Sequence, residues 1–120
     1  MTFRGAPVSF LVEGVALYAF RRARTSRAYL TAMVASSPGG VAQLPDTLKR
    51  ASLVCDSALK RVGATCVWRA SVLTEMLRRR GYAANVLLSI APFDPRDMHA
   101  ECQVGGRPVR DEGHSRIALR

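Results

Sequence analysis

Three side-chain types along this chain could do nucleophilic chemistry together. They are the thiol of Cys66, the imidazole of His99 and the carboxylate of Asp111. A thiol attacks carbon only as thiolate, and the unpaired N–H groups of a helix N-terminus favour that negative charge. Cys66 stands where the sequence predicts such a terminus. A nearby His can take the thiol proton and leave a thiolate–imidazolium pair. A carboxylate can then hold the ring in the productive tautomer. Sulfur, ring and carboxylate in this order suit attack on a carbonyl and passage through a thioester. A Cys at a helix start is by itself more often a small buried hydrophobe. What favours catalysis is the order helix start, strand, next strand for Cys, His and Asp. Cys55 and Cys102 fall on apolar faces and read as core. His114, in a polar stretch, is the weaker candidate base. Asp94, Asp97 and Glu101 are rivals of Asp111 for the orienting role.

These residues need elements to position them. Thr65 can cap a helix beginning at Cys66, on which Ala70, Leu73, Met76 and Leu77 share the face of Cys66. Arg78-Arg79-Arg80 suits the negative end of the helix dipole, and Gly81 ends the helix. Asn85 to Ile90 reads as a strand and Pro92 to Arg96 as a loop. From His99 to Val104 the chain alternates, with Ala100, Cys102 and Val104 on one face and His99, Glu101 and Gln103 on the other. Gly105-Gly106 turns a hairpin, and Arg107 to Asp111 returns. Upstream, Leu44 to Val62 is a second helical stretch, started at Pro45 and stopped at Gly63. Pro7 to Ala35 carries helical periodicity as well, broken by Ser36 to Gly40. The layout is helices first and then a small antiparallel sheet, an α+β pattern. One domain over residues 1–120 is expected, with residues 1–43 an N-terminal helical segment and residues 44–120 the catalytic core.

Register tests the trio. A two-residue Gly105-Gly106 loop pairs Val104 with Arg107 and sets Ala100, not His99, opposite Asp111. A three-residue loop from Val104 to Gly106 sets His99 opposite Asp111 on one face. A catalytic Asp111 therefore predicts the longer loop or a bulge.

With 120 residues, 48% hydrophobic and 22% charged, the chain can bury a core without disulfides. Three cysteines without CxxC spacing favour a reducing cytoplasm. The apolar run Ala6 to Phe20 is interrupted by Glu13 and is too short to span a bilayer, and it does not read as a signal peptide. No cofactor or metal site is expected. The net charge of +9 suits an anionic partner. A basic nucleic-acid-binding protein is one alternative, but only 7% of residues are aromatic and Arg is spread from Arg4 to Arg120. A non-catalytic binding or scaffold module is another. Acyl transfer uses the same trio as hydrolysis, and the two differ only in whether water or an amine meets the thioester.

The stretch Cys66-Val-Trp-Arg-Ala-Ser-Val-Leu-Thr-Glu-Met-Leu-Arg-Arg-Arg-Gly-Tyr, followed by Met98-His99-Ala100-Glu101 and by Gly105 to Asp111, resembles a known family. It is similar to the transglutaminase-like leader peptidases of lasso-peptide biosynthesis, the peptidase half of a split protein. The likeness covers about Arg61 to Asp111. Where the family carries Trp after His-Ala, this chain has Glu101. The resemblance implies a papain/transglutaminase-like fold, with Cys66 as nucleophile, His99 as base then acid, and Asp111 as orienting acid. It implies a ribosomally made precursor peptide as substrate and a separate leader-binding protein as partner. It also implies an ATP-dependent cyclase acting on the freed core peptide.

Overall fold

A computed structural model describes residues 2–3, 6–24, 26–35, 39–91, 94–109 and 117–118. The short strands β1 (Thr2–Phe3) and β2 (Ala6–Pro7) pair with each other. Four helices follow: α1 (Val8–Arg24), α2 (Ser26–Ala35), α3 (Asp46–Arg61) and α4 (Cys66–Arg79). The remaining strands are β3 (Ala84–Ala91), β4 (Asp94–Val104), β5 (Arg107–Pro108) and β6 (Ile117–Ala118). They form an antiparallel sheet in the order β5-β4-β3-β6.

Helix α4 is the centre. Trp68, Ala70, Val72, Leu73, Met76 and Leu77 are buried around much of its circumference, because α1, α2 and α3 as well as β3 and β4 pack on it. A helix buried around most of its circumference needs such cover. Trp68 meets Tyr18 of α1 edge-on, at a centroid distance of 5.5 Å, and stacks on Tyr29 of α2 at 5.7 Å. The Tyr29 hydroxyl donates to the Ser71 carbonyl at 3.1 Å, which satisfies the polar end of a buried ring. Helix α1 comes close to α3 because Gly14 has no side chain: a Cβ there would collide with Cys55 Sγ. The end of α4 is set locally. Gly81 takes φ 90°, its N–H donates to the Arg78 carbonyl, and the N–H of Tyr82 donates to that of Leu77. Together with the Arg80 N–H, which also donates to the Leu77 carbonyl, these bonds satisfy carbonyls of the last turn.

In β4 the alternation is as expected: Ala100, Cys102 and Val104 are buried, and His99, Glu101 and Gln103 are half-buried. The expected loop from Pro92 to Arg96 is shorter. Strand β4 begins at Asp94, which pairs with Ala91 after a register shift at Ile90/Ala91. Backbone pairing needs no apolar side chains, and the shift takes up the extra chain. Pro95 fits because β5 pairs only with Gln103 and Val104, so this part of β4 has no β5 neighbour to receive an N–H. No helix among the described residues is long and apolar enough to cross a membrane.

Candidate active site

Cys66 is the first residue of α4. Thr65 occupies the N-cap with extended backbone (φ −69°, ψ 167°), yet its side chain makes no capping hydrogen bond. The turn is held instead by Arg69. Its Nε donates to Asp56 Oδ1 of α3 at 3.1 Å and its Nη1 to the Ala64 carbonyl at 2.7 Å. Arg69 thus ties the loop before Cys66, the first turn of α4 and α3 together. Cys66 is half-buried and packs, with Val67, against the cluster Ala70, Val86 and Ala100.

The three thiols are free but not equivalent. Cys55 is fully buried, and burial pushes its thiol up to about 12. Cys102 is buried on the helix-facing side of β4, and burial likewise pushes it up to about 12, although the Thr74 hydroxyl donates to its sulfur at 3.4 Å. Both are core residues, as their positions on apolar faces predict. Cys66 is the one with access to solvent.

His99 lies across from Ser89 in the β3–β4 pairing. By alternation it shares a face with Ser89 and Glu101, opposite the face that Ala100 and Cys102 turn to α4. A cleft runs between α3, the start of α4 and β4, lined by Ser52, Asp56, Arg69, Ala70, His99 and Glu101 among others. Cys66 is not on its lining, although Ala70, one turn along α4, is. The structure therefore packs Cys66 on the cluster that includes Ala100, the neighbour of His99, and places His99 and Arg69 on the lining of one cleft. Glu101, a sequence-level rival of Asp111, is on the same cleft. Ser52 Oγ is buried there and has no hydrogen-bond partner among the described residues. Sequence reasoning missed Ser52, Asp56 and Arg69. Arg69 carried one weak signal, its place one turn after Cys66; Asp56 and Ser52 carried none, since their neighbours come from tertiary packing. Among the described residues no three His, Cys, Asp or Glu side chains group as metal ligands would.

The hairpin turn corrects an expectation. Its loop is the two-residue Gly105-Gly106, with Val104 paired to Arg107 and Gln103 to Pro108. The N–H of Val109 donates to the Cys102 carbonyl at 3.0 Å in the same register, so the described part of the hairpin has no bulge. Both glycines have positive φ, 60° and 81°, the conformation whose twist matches two antiparallel strands. Ala42 packs against Gly105 so closely that a Cβ there would collide with the Ala42 carbonyl oxygen. Continued unchanged, this register sets Ala100 opposite Asp111. Asp111 and His114 lie outside the described residues; Asp94 and Asp97 are described in backbone only.

A family model described as the transglutaminase-like superfamily matches residues 10–119. No curated protein and no solved structure matches.

Proposed function

The chain belongs to the transglutaminase-like superfamily, and from that premise we propose that it is a cysteine peptidase removing the leader from a ribosomally made lasso-peptide precursor. The difference among the three thiols carries the reading. Only Cys66 combines access with the start of a helix, where developing negative charge is favoured.

In this mechanism His99 takes the Cys66 proton and the thiolate attacks the scissile carbonyl carbon. The oxyanion is met by backbone N–H groups at the start of α4, Cys66's own among them. The C–N bond breaks, the imidazolium gives its proton to the leaving amine, and a thioester remains on Cys66. Water, deprotonated by His99, attacks the thioester; the acid leaves and the thiol is restored. Asp111 orients the ring, a role that requires a change of register beyond Val109. His99 already lines the cleft and Cys66 does not, so the imidazole must move from there toward the sulfur. The Asp56–Arg69 pair keeps the sulfur in place while it does so. A separate leader-binding protein delivers the precursor, and an ATP-dependent cyclase closes the released core peptide. A cytoplasmic setting keeps the thiol reduced.

The two-residue turn favours a second reading, a non-catalytic binding module of a peptide-maturation complex. In its register His99 and Asp111 would point to opposite faces if the pairing ran on. Mass spectrometry of a precursor incubated with this chain and the leader-binding protein separates the two. The peptidase reading requires a cleaved leader with wild type and none with Cys66→Ala at unchanged melting temperature. Equal cleavage with and without Cys66 rejects it, and binding without cleavage selects the module.

A further inference from the structure

The N-terminal helices present an outer surface that nothing in the proposed chemistry uses. Helix α1 buries Phe10, Gly14, Leu17 and Tyr18. Its opposite side is also apolar: Val12, Ala16, Ala19, Phe20 and Ala23 are all exposed, Val12 by 61% and Phe20 by 54%. Their spacing makes one continuous stripe along the helix. Ala28, Ala32 and Ala35 of α2 are exposed as well. A surface helix is expected to be polar on its solvent side, and a helix apolar on both sides is built to be covered on both.

The rim of this stripe is cationic. Residues 8–35 contain a single carboxylate, Glu13, and Arg80 binds it at 2.6 Å. Arg22, Arg24 and Arg27 are exposed, and among the described residues none is paired with a carboxylate. The guanidinium groups of Arg21 and Arg24 lie 5.8 and 5.6 Å from the Phe20 ring centroid, so the exposed ring and the charges form one patch.

Charge and side-chain size select the occupant. A second copy of a chain carrying +9 would set Arg against Arg. A bilayer needs large apolar groups to insert, but three of the five stripe residues on α1 are Ala, and the large ones Phe10, Leu17 and Tyr18 point inward. Nucleic acid would use the arginines and leave the apolar stripe uncovered. A helix with an apolar seam and carboxylates along its rim uses both: the alanines allow close approach, and the arginines grip carboxylates in their planar fork. We propose that the outer face of α1 and α2 docks an acidic protein partner through an apolar, carboxylate-rimmed helix. This inference does not depend on the chemistry at Cys66.

The test measures binding of the full chain to a labelled helical peptide with a Leu seam flanked by Glu. The same peptide with Lys for Glu, phosphatidylglycerol vesicles and duplex DNA serve as competitors. Phe20→Ser and the pair Arg22→Glu/Arg24→Glu should each weaken the Glu peptide by about tenfold or more. The pair Arg50→Glu/Arg61→Glu, exposed on α3 rather than on α1 or α2, should change it less than about threefold, since charges outside the contacted face act only through a screened field. If Phe20→Ser does not fold, Val12→Ser takes its place. The proposal is overturned if the α3 pair weakens binding as much as the α1 pair, if the Lys peptide binds equally, or if only vesicles or DNA bind. No substrate is present, so failure here leaves the cleavage reading standing.

Discussion

Replacing Arg69 with Ala removes one guanidinium that holds three pieces of backbone. The Asp56 carboxylate loses a partner at 3.1 Å, and the Ala64 carbonyl loses a donor at 2.7 Å. At an effective dielectric near 20, the charge pair is worth about 5 kcal/mol of gross attraction. The two side chains keep only 15% and 17% of their exposure, so desolvation takes back about half of that. A net loss of roughly 2–3 kcal/mol follows, which lowers a urea midpoint by roughly 1–2 M. Asp56→Ala should cost a similar amount, and the double variant should cost less than the sum, with a coupling of about 1–2 kcal/mol. Urea unfolding of the four proteins measures all three quantities. The Cys66 alkylation rate should also change in Arg69→Ala under conditions where the variant stays folded, because the loop before Cys66 is released. A loss below about 0.5 kcal/mol with additive costs would place the pair among ordinary surface contacts and refute its role in holding the start of α4.

Other outcomes follow from the same packing. Iodoacetamide at neutral pH should label Cys66 in the native protein and reach Cys55 and Cys102 only after unfolding; peptide mapping reads this directly, and early labelling of Cys102 would contradict its burial. Raising the pH should destabilise the fold. Unfolded thiols ionise near 9 whereas Cys55 and Cys102 stay protonated to about 12, so the folded state holds the extra protons in that window. Their contribution is intact below pH 9 and is lost at about 1.4 kcal/mol per pH unit for each thiol as pH climbs toward 12. A urea midpoint that is flat across this range would count against both burials. Gly14→Ala should cost about 1–3 kcal/mol through collision with Cys55 Sγ, and Cys55→Ala should relieve most of that cost. A Gly14→Ala protein as stable as wild type would mean that α1 and α3 do not approach as closely as described.

The sequence was most legible where local chemistry decides. The end of α4 at Gly81 follows from neighbouring residues alone, and the alternation of Ala100, Cys102 and Val104 announces the buried face of β4; the start at Cys66 falls where Thr65 predicts it, although Thr65 makes no capping bond and Arg69 ties that turn to α3. The turn shows the limit. Two- and three-residue loops use the same Val104-Gly105-Gly106, and what packs on Gly105 is Ala42, more than sixty positions away. The Arg69–Asp56 pair joins α3 to α4 through tertiary packing and has no local signature. The pairing of β6 with β3 is of the same kind. Of the proposed site, the position of Cys66 on its helix and of His99 on its strand could be read in advance. The alternation also put His99 on the face opposite Ala100 and Cys102; that α3 and the start of α4 form a cleft lined by His99 could not be read, because it depends on tertiary packing.

In the proposed mechanism sulfur and imidazole act as a pair. This pairing is tested most directly by the alkylation rate of Cys66 in wild type and in His99→Ala, measured from mildly acidic to mildly alkaline pH. At about pH 6 wild type should react roughly tenfold faster than His99→Ala, and the gap should close as the pH rises. Superimposable profiles over the whole range would mean that the ring never meets the sulfur.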